Sequence, residues 1–199
     1  MIAIIDYGMG NLRSVQKAFE HEGAKAVITQ NPSHIKRADK VVLPGVGAMD
    51  PAMKKLSELG LTDLLKKIAD SSKPFLGICL GLQLLFESSQ EGGSVEGLGV
   101  LSGSVQGFQK VKVPQIGWNQ ISLAKRSCPL FRGINEGSYV YFCHSYYVEP
   151  KEQSIVASRT EYGTTFASTV WKDNLFGVQF HPEKSQSVGL SILKNFSKL

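Results

Sequence analysis

One short stretch limits what this chain can fold into: Lys73-Pro74-Phe75-Leu76-Gly77-Ile78-Cys79-Leu80-Gly81-Leu82-Gln83-Leu84-Leu85-Phe86. An apolar run, Phe75 to Ile78, stops at Cys79. A helical pattern begins at once, with Leu80, Leu84 and Leu85 on one side. Gly77 and Gly81 flank the cysteine two residues away on either side. This G-x-C-x-G spacing is that of a nucleophile elbow, a sharp strand-to-helix turn. The glycines are needed because a side chain at either position would strike the strand or the helix. The turn lifts the sulfur above a sheet and sets it at a helix N-terminus, where aligned peptide dipoles favour a thiolate. The competing reading is a buried cysteine in an ordinary turn, since free cysteine is among the most buried residue types. A nucleophile also needs a base and an orienting acid elsewhere in the chain.

Such partners stand near the C-terminus. Leu175 to Phe180 reads as a strand, and His181-Pro182-Glu183 follows it. Residues two apart on an extended chain point to the same side, about 6.6 Å apart, where an imidazole and a carboxylate can meet. Pro182 keeps His181 extended. The roles follow: Cys79 attacks, His181 takes and returns its proton, and Glu183 holds the imidazole tautomer. A lone His-x-Glu is ordinarily a solvated strand end; joined to the elbow it points to a Cys–His–Glu triad.

The rest of the chain predicts the frame for that site. Ile2 to Ile5 reads as a buried strand, Asn11 to Glu22 as a helix capped by Asn11 and ended by Gly23, and Ala26 to Thr29 and Val41 to Leu43 as further strands. One helical segment starts near Met49 and another runs from Leu61 to Ala69; the elbow helix extends to Glu87, and Ser88 to Gly103 reads as a loop. After residue 100 short β-like runs appear at Leu101–Phe108, Asn119–Leu123, Tyr139–Phe142, Ile155–Ser158, Thr165–Trp171 and Leu175–Phe180, and Ser187 to Phe196 closes as an amphipathic helix. The expected fold is α/β: one domain over residues 1–199, with a mixed, mainly parallel open sheet, flanking helices and added antiparallel strands. Gly8-Met9-Gly10 lacks the third glycine of a dinucleotide fingerprint, because position 13 is Arg13.

Pro44-Gly45-Val46-Gly47 follows a buried strand that should end beside the elbow. Backbone N–H groups of Leu80 and of the Gly45-Val46-Gly47 loop are therefore the expected oxyanion donors. Glycines on both sides of Val46 let a peptide there turn either way at low cost, so the loop is expected to act as a switch set by a docked partner.

Composition excludes several classes. The net charge of +5 comes from 22 Lys+Arg against 17 Asp+Glu, is scattered, and does not point to nucleic acid. Three cysteines, Cys79, Cys128 and Cys143, are an odd number without metal-finger spacing, which fits a reducing cytosol. No apolar stretch is long enough to span a membrane, and the N-terminal apolar run is too short for a signal segment. His21 and His34 sit in polar segments and read as solvated; Cys128 and Cys143 read as packing residues. His144 competes with His181 as a base but has no acid beside it in sequence.

G-I-C-L-G-L-Q together with F-H-P-E resembles the triad-type (class I) glutamine amidotransferases. Within them, I-I-D-Y-G-M-G-N-L-R-S-V, L-P-G-V-G-A, Q-I-G-W-N, Y-F-C-H-S-Y-Y and G-V-Q-F-H-P-E-K-S resemble the glutaminase subunits of imidazole glycerol phosphate synthases, over nearly the whole chain. The resemblance implies hydrolysis of L-glutamine with no metal or cofactor. It implies passage of ammonia to a (β/α)8-barrel synthase subunit in a cytoplasmic heterodimer that serves histidine biosynthesis. It implies that Gln83, Glu91, Ser145 and Tyr146 contact glutamine, and that Asn11, Arg13, Trp118, Tyr139 and Lys184 face the partner. Amidotransferase subunits for anthranilate, pyridoxal phosphate or guanylate lack the D-Y-G-M-G-N start and the P-G-V-G-A loop. A papain-like peptidase needs an extended substrate cleft, and a binding module would tolerate Cys79→Ser.

Overall fold

The computed structural model describes residues 1–199. Continuous apolar runs form parallel strands buried on both faces, as crossover connections require. β1 (Ile2–Ile5), β2 (Ala26–Thr29), β3 (Lys40–Gly45) and β4 (Phe75–Cys79) alternate with helices α1 (Leu12–His21), α2 (Pro32–Arg37), α3 (Met49–Glu58) and α4 (Thr62–Ala69). Asn11 caps α1 by accepting from the Ser14 N–H at 3.4 Å, and Gly23 leaves the helix in the left-handed region at φ 79°.

The elbow differs from the sequence expectation. Its helix, α5 (Leu80–Gln83), is a single turn, and Phe86–Ser89 forms strand β5 instead of continuing the helix to Glu87. β6 (Val95–Glu96) and β7 (Leu101–Gly107) follow, so residues 88–103 are more than a loop. The cause is tertiary. Phe86 is fully buried and pairs with Leu101, and Ser88 pairs with Ser104, which overrides a local spacing that would suit a helix.

The second half supplies β8 (Gln115–Gln120), β9 (Ser122–Leu123), β10 (Tyr139–His144), β11 (Tyr146–Pro150), β12 (Val156–Glu161), β13 (Thr165–Lys172), β14 (Leu175–Val178) and α6 (Gln186–Ser197). The main sheet runs β2-β1-β3-β4-β14-β13-β11-β7-β5-β6, with β12 and β9 joined at β13. It is parallel from β2 to β14 and antiparallel from β14 to β7. β8 and β10 pair only with each other, as a separate two-stranded sheet, not as additions to the main one.

Strand alternation divides the core into two halves. Val41, Leu43 and Phe75 pack with α3, α4 and α5 on one face; Val42, Leu76 and Ile78 pack with α1 and α6 on the other. Phe19, Phe176 and Phe196 join the second half through ring centroids 6.2 Å apart. Each such fully buried side chain contributes about 1.5–3 kcal/mol.

Three backbones meet at the elbow because two residues lack a Cβ. A Cβ on Gly77 would lie 2.7 Å from the Gly81 carbonyl oxygen, and one on Gly81 would lie 1.7 Å from the Leu43 carbonyl oxygen. Gly81→Ala should therefore cost about 3 kcal/mol or more in urea unfolding. Gly23→Ala, which meets nothing within 4 Å and loses only the freedom of its left-handed backbone, should cost about 1 kcal/mol. Equal losses would contradict the close approach of α5 to β3.

Candidate active site

Three adjacent parallel strands end side by side. β3 delivers Pro44 to Gly47, β4 delivers Cys79, and β14 delivers Gln179 to His181. Gly45 stands opposite Cys79, and Val178 opposite Ile78. Cys79 itself takes φ 54° and ψ −109°. That conformation costs an L residue about 1–3 kcal/mol and is held by the packing on either side. Because α5 is one turn long, only a few peptides align behind the sulfur, so its dipole is much weaker than the sequence pattern implied.

His181 and Glu183 meet by another route than an extended strand. β14 ends at Val178, His181 is extended at φ −98°, and Pro182–Lys184 is a turn of 3-10 helix that folds Glu183 back. Glu183 Oε1 lies 2.9 Å from His181 Nδ1, and the two side chains are 2% and 4% exposed. The His181 backbone is fixed at both ends: its N–H donates to the Tyr141 carbonyl at 2.9 Å, and its carbonyl accepts from Ser185 Oγ at 2.6 Å. Burial lowers the His181 pKa, but its contacts with Cys79 and Glu183 outweigh burial and raise it to about 10. Nδ1 is taken by Glu183, which leaves Nε2 for the sulfur.

A cavity of about 430 Å³ opens beside Cys79. Val46, Gly47, Leu80, Gln83, Glu91, Ser145, Tyr146, His181 and Lys184 line it. Gly45 is not among the residues that line the cavity; a Cβ there would come within 2.3 Å of the Tyr7 hydroxyl and 3.0 Å of Leu80 Cβ. Gln83 is buried, and its Nε2 donates to the Tyr146 carbonyl at 2.9 Å and to Gln179 Oε1 at 3.1 Å. Glu91 Oε2 accepts from the Met49 N–H at 2.8 Å, which caps a helix whose own N-cap, Ala48, offers no side-chain oxygen. Asn11, Arg13, Trp118 and Tyr139 lie outside the cavity, on the surface.

Several groups at the site carry no signal in the sequence. The Cys143 carbonyl lies 3.8 Å from Cys79 Sγ, while the Cys143 side chain is exposed, not packed. Gln179 is fully buried, and its Nε2 lies 3.8 Å from the same sulfur. Tyr7 is buried and donates to the Pro44 carbonyl at 2.9 Å; burial and the nearby Cys79 push its phenol pKa up. Cys128 is buried, which raises its thiol to about 11. No group of three or more His, Cys, Asp or Glu side chains is arranged to hold a metal ion.

His144 lines the cavity but is set up differently from His181. It sits among Phe108, Phe142 and Phe166, its Nδ1 contacts the Tyr146 carbonyl at 2.8 Å, and its Nε2 is buried without a partner. Burial and the His181 charge lower its pKa to about 4, against the smaller opposing effect of the Tyr146 contact. Imidazole NMR titration should find His144 neutral from about pH 5 upward and His181 charged through pH 8, losing its proton near 10. In Glu183→Gln, His181 should lose its proton at lower pH, because a stabilising anion is gone. A parent His181 that titrates near 6.5 would contradict the geometry.

The model for the family "Glutamine amidotransferase class-I" matches residues 3–199. The chain is 51% identical to the imidazole glycerol phosphate synthase subunit HisH of Syntrophotalea carbinolica over 207 residues, covering all of both chains. It is also 51% identical to the subunit of the same name from Methanocaldococcus jannaschii over 200 residues, again covering both in full. Among solved structures, a crystal structure of a glutamine amidotransferase superposes with a TM-score of 0.78 at 16% identity, covering 100% of each chain. A glutamine amidotransferase from Thermotoga maritima superposes with a TM-score of 0.67 at 20% identity, covering 92% of this chain and 75% of that one. At those identities the superpositions speak for the fold alone. Sequence agreement from end to end, on a sheet and elbow of this form, makes the chain a member of the class I glutamine amidotransferase family, among the HisH subunits of imidazole glycerol phosphate synthase.

Proposed function

We propose that the chain is the glutaminase half of a two-subunit imidazole glycerol phosphate synthase, and that residues 1–199 work as one glutaminase domain. One observation carries the reading. Cys79, in a left-handed elbow, shares a cavity with His181, whose Nδ1 is tied to Glu183.

The Cys79 thiolate attacks the side-chain amide carbon of L-glutamine, and the amide oxygen gains the negative charge. N–H groups of Leu80 and of the Gly45-Val46-Gly47 loop receive that oxyanion. His181 gives its proton to the amide nitrogen, the C–N bond breaks, and ammonia leaves. The γ-glutamyl thioester then reacts with a water deprotonated by His181. The C–S bond breaks, glutamate departs and the sulfur is restored. Gln83, Glu91, Ser145 and Tyr146 hold the substrate, and the reaction uses no cofactor.

Ammonia goes to a (β/α)8-barrel synthase subunit in a cytoplasmic heterodimer. β8 and β10 support this assignment of the docking face. Their inward residues Val140, Phe142 and His144 are buried, while Ile116, Trp118 and Tyr139 on the outward face are 62%, 45% and 54% exposed. Trp118 packs edge-on against Tyr141, and Lys184 lies over the Tyr141 ring. An apolar, aromatic patch of this kind is typical of an interface core. Asn11 and Arg13 are exposed at the N-terminal end of α1, directly after the Met9-Gly10 turn that packs on Gly45 and Gly47. Gly45 is held by Tyr7 and Leu80, whereas Gly47 sits at φ 97°, so the switch in the oxyanion loop turns about the Val46–Gly47 peptide.

The test separates making ammonia from using it. With its synthase partner, Cys79→Ala should lose glutamine-dependent synthesis by about 10³-fold or more, yet still run on ammonium salt at raised pH. His181→Ala should be nearly as severe and Glu183→Ala milder. Substantial glutamate release by Cys79→Ala would overturn the reading.

A further inference from the structure

The direction of one buried hydrogen-bond chain is forced from end to end. It begins at the Tyr146 carbonyl oxygen, which can only accept. Two groups reach that oxygen: His144 Nδ1 at 2.8 Å and the Gln83 amide nitrogen at 2.9 Å. Both must donate, so Gln83 spends its NH2 here. The same NH2 lies 3.1 Å from Gln179, which must therefore present its carbonyl oxygen. Gln179 then has only its NH2 left, and that nitrogen stands 3.8 Å from Cys79 Sγ, within hydrogen-bonding range of a sulfur. Gln179 has no exposed surface and its backbone N–H is taken by the Ser168 carbonyl at 2.9 Å, so the side chain has no other place to turn.

We propose that Gln179 is a working part of the glutaminase site: its NH2 donates to the sulfur of the nucleophile, and its carbonyl locks Gln83 so that the Gln83 carbonyl oxygen faces the ligand. The inference rests on Cys79 being the nucleophile. The single turn of α5 gives the sulfur little dipole support, and a fixed N–H donor supplies what the short helix does not. Gln83 spends its NH2 twice inside the protein, and its Oε1 takes no hydrogen bond from it. That oxygen is thus an acceptor for an ammonium or amide N–H of the substrate. One residue thereby sets the state of the attacking atom and the recognition of glutamine together.

The experiment compares two variants in the complex with the synthase partner. Gln179→Met keeps the side-chain length but cannot donate and accepts only weakly. It should lower glutamine-dependent kcat tenfold or more, slow iodoacetamide alkylation of Cys79 (read by peptide mapping) by a similar factor, and raise the KM for glutamine severalfold. Gln83→Met should raise KM and, because it releases the Gln179 carbonyl but leaves the Gln179 NH2 in place, should slow alkylation of Cys79 less than Gln179→Met does. Both should co-elute with the synthase partner in size-exclusion chromatography and keep the parent's circular-dichroism spectrum, which a general loss of structure or docking would change. Parent-like kcat and alkylation in Gln179→Met would overturn the proposal. If that variant does not fold, the parent decides: the side-chain NH2 proton resonances of Gln179 should move between the parent and Cys79→Ala, and unmoved resonances overturn it. Glutamine hydrolysis by Cys79→Ala would instead remove the triad reading beneath it.

Discussion

The structure depends on how closely α5 approaches the backbone of β3. Gly81 passes the Leu43 carbonyl with no room for a methyl group, and Gly77 passes Gly81 in the same way. The turn between them can close only if Cys79 enters the left-handed region, which puts its sulfur at the C-terminal edge of the sheet. The cost at that residue is met by buried apolar contacts on both faces, where Leu80 and Leu82 pack on one side and Leu76 and Ile78 on the other. Strain at Cys79 and density in the core are therefore one arrangement.

Parallel pairing then assembles the site. β3 and β14 flank β4, so the loop after Gly45 and the segment after Val178 must arrive beside Cys79. β10 closes the far side. Its Tyr141 backbone holds the His181 N–H and Ser185 Oγ, its Cys143 carbonyl touches the sulfur, and its outward aromatic side chains face solvent. A partner seated on the aromatic face would lie one backbone layer from Cys79 and His181.

What could be read in the sequence was what short spacing encodes. Glycines two residues either side of Cys79 state a close approach, and apolar runs bounded by turn residues state parallel strands. The one-turn length of α5 was not legible, because Leu80, Leu84 and Leu85 fit a longer helix and only pairing with β7 decides against it. β11 was hidden in the same way: no β-like run was read over residues 146–150, and their strand character comes from pairing with β7 and β13. Gln179 gave no signal, since a glutamine in a strand is ordinary until its partners, Gln83 and Cys79, are brought about a hundred residues across the chain. Cys143 misled because its side chain is incidental; the group at the site is its carbonyl.

The central claim is that Cys79 carries the γ-glutamyl group between the two halves of the reaction. Acid quenching during turnover of L-glutamine, followed by peptide mass spectrometry, tests it directly. A γ-glutamyl adduct on the peptide that contains Cys79, absent from those of Cys128 and Cys143 and gone once glutamine is exhausted, is the result this account predicts. Steady glutamate release with no adduct on Cys79, or with the adduct on another cysteine, would contradict it.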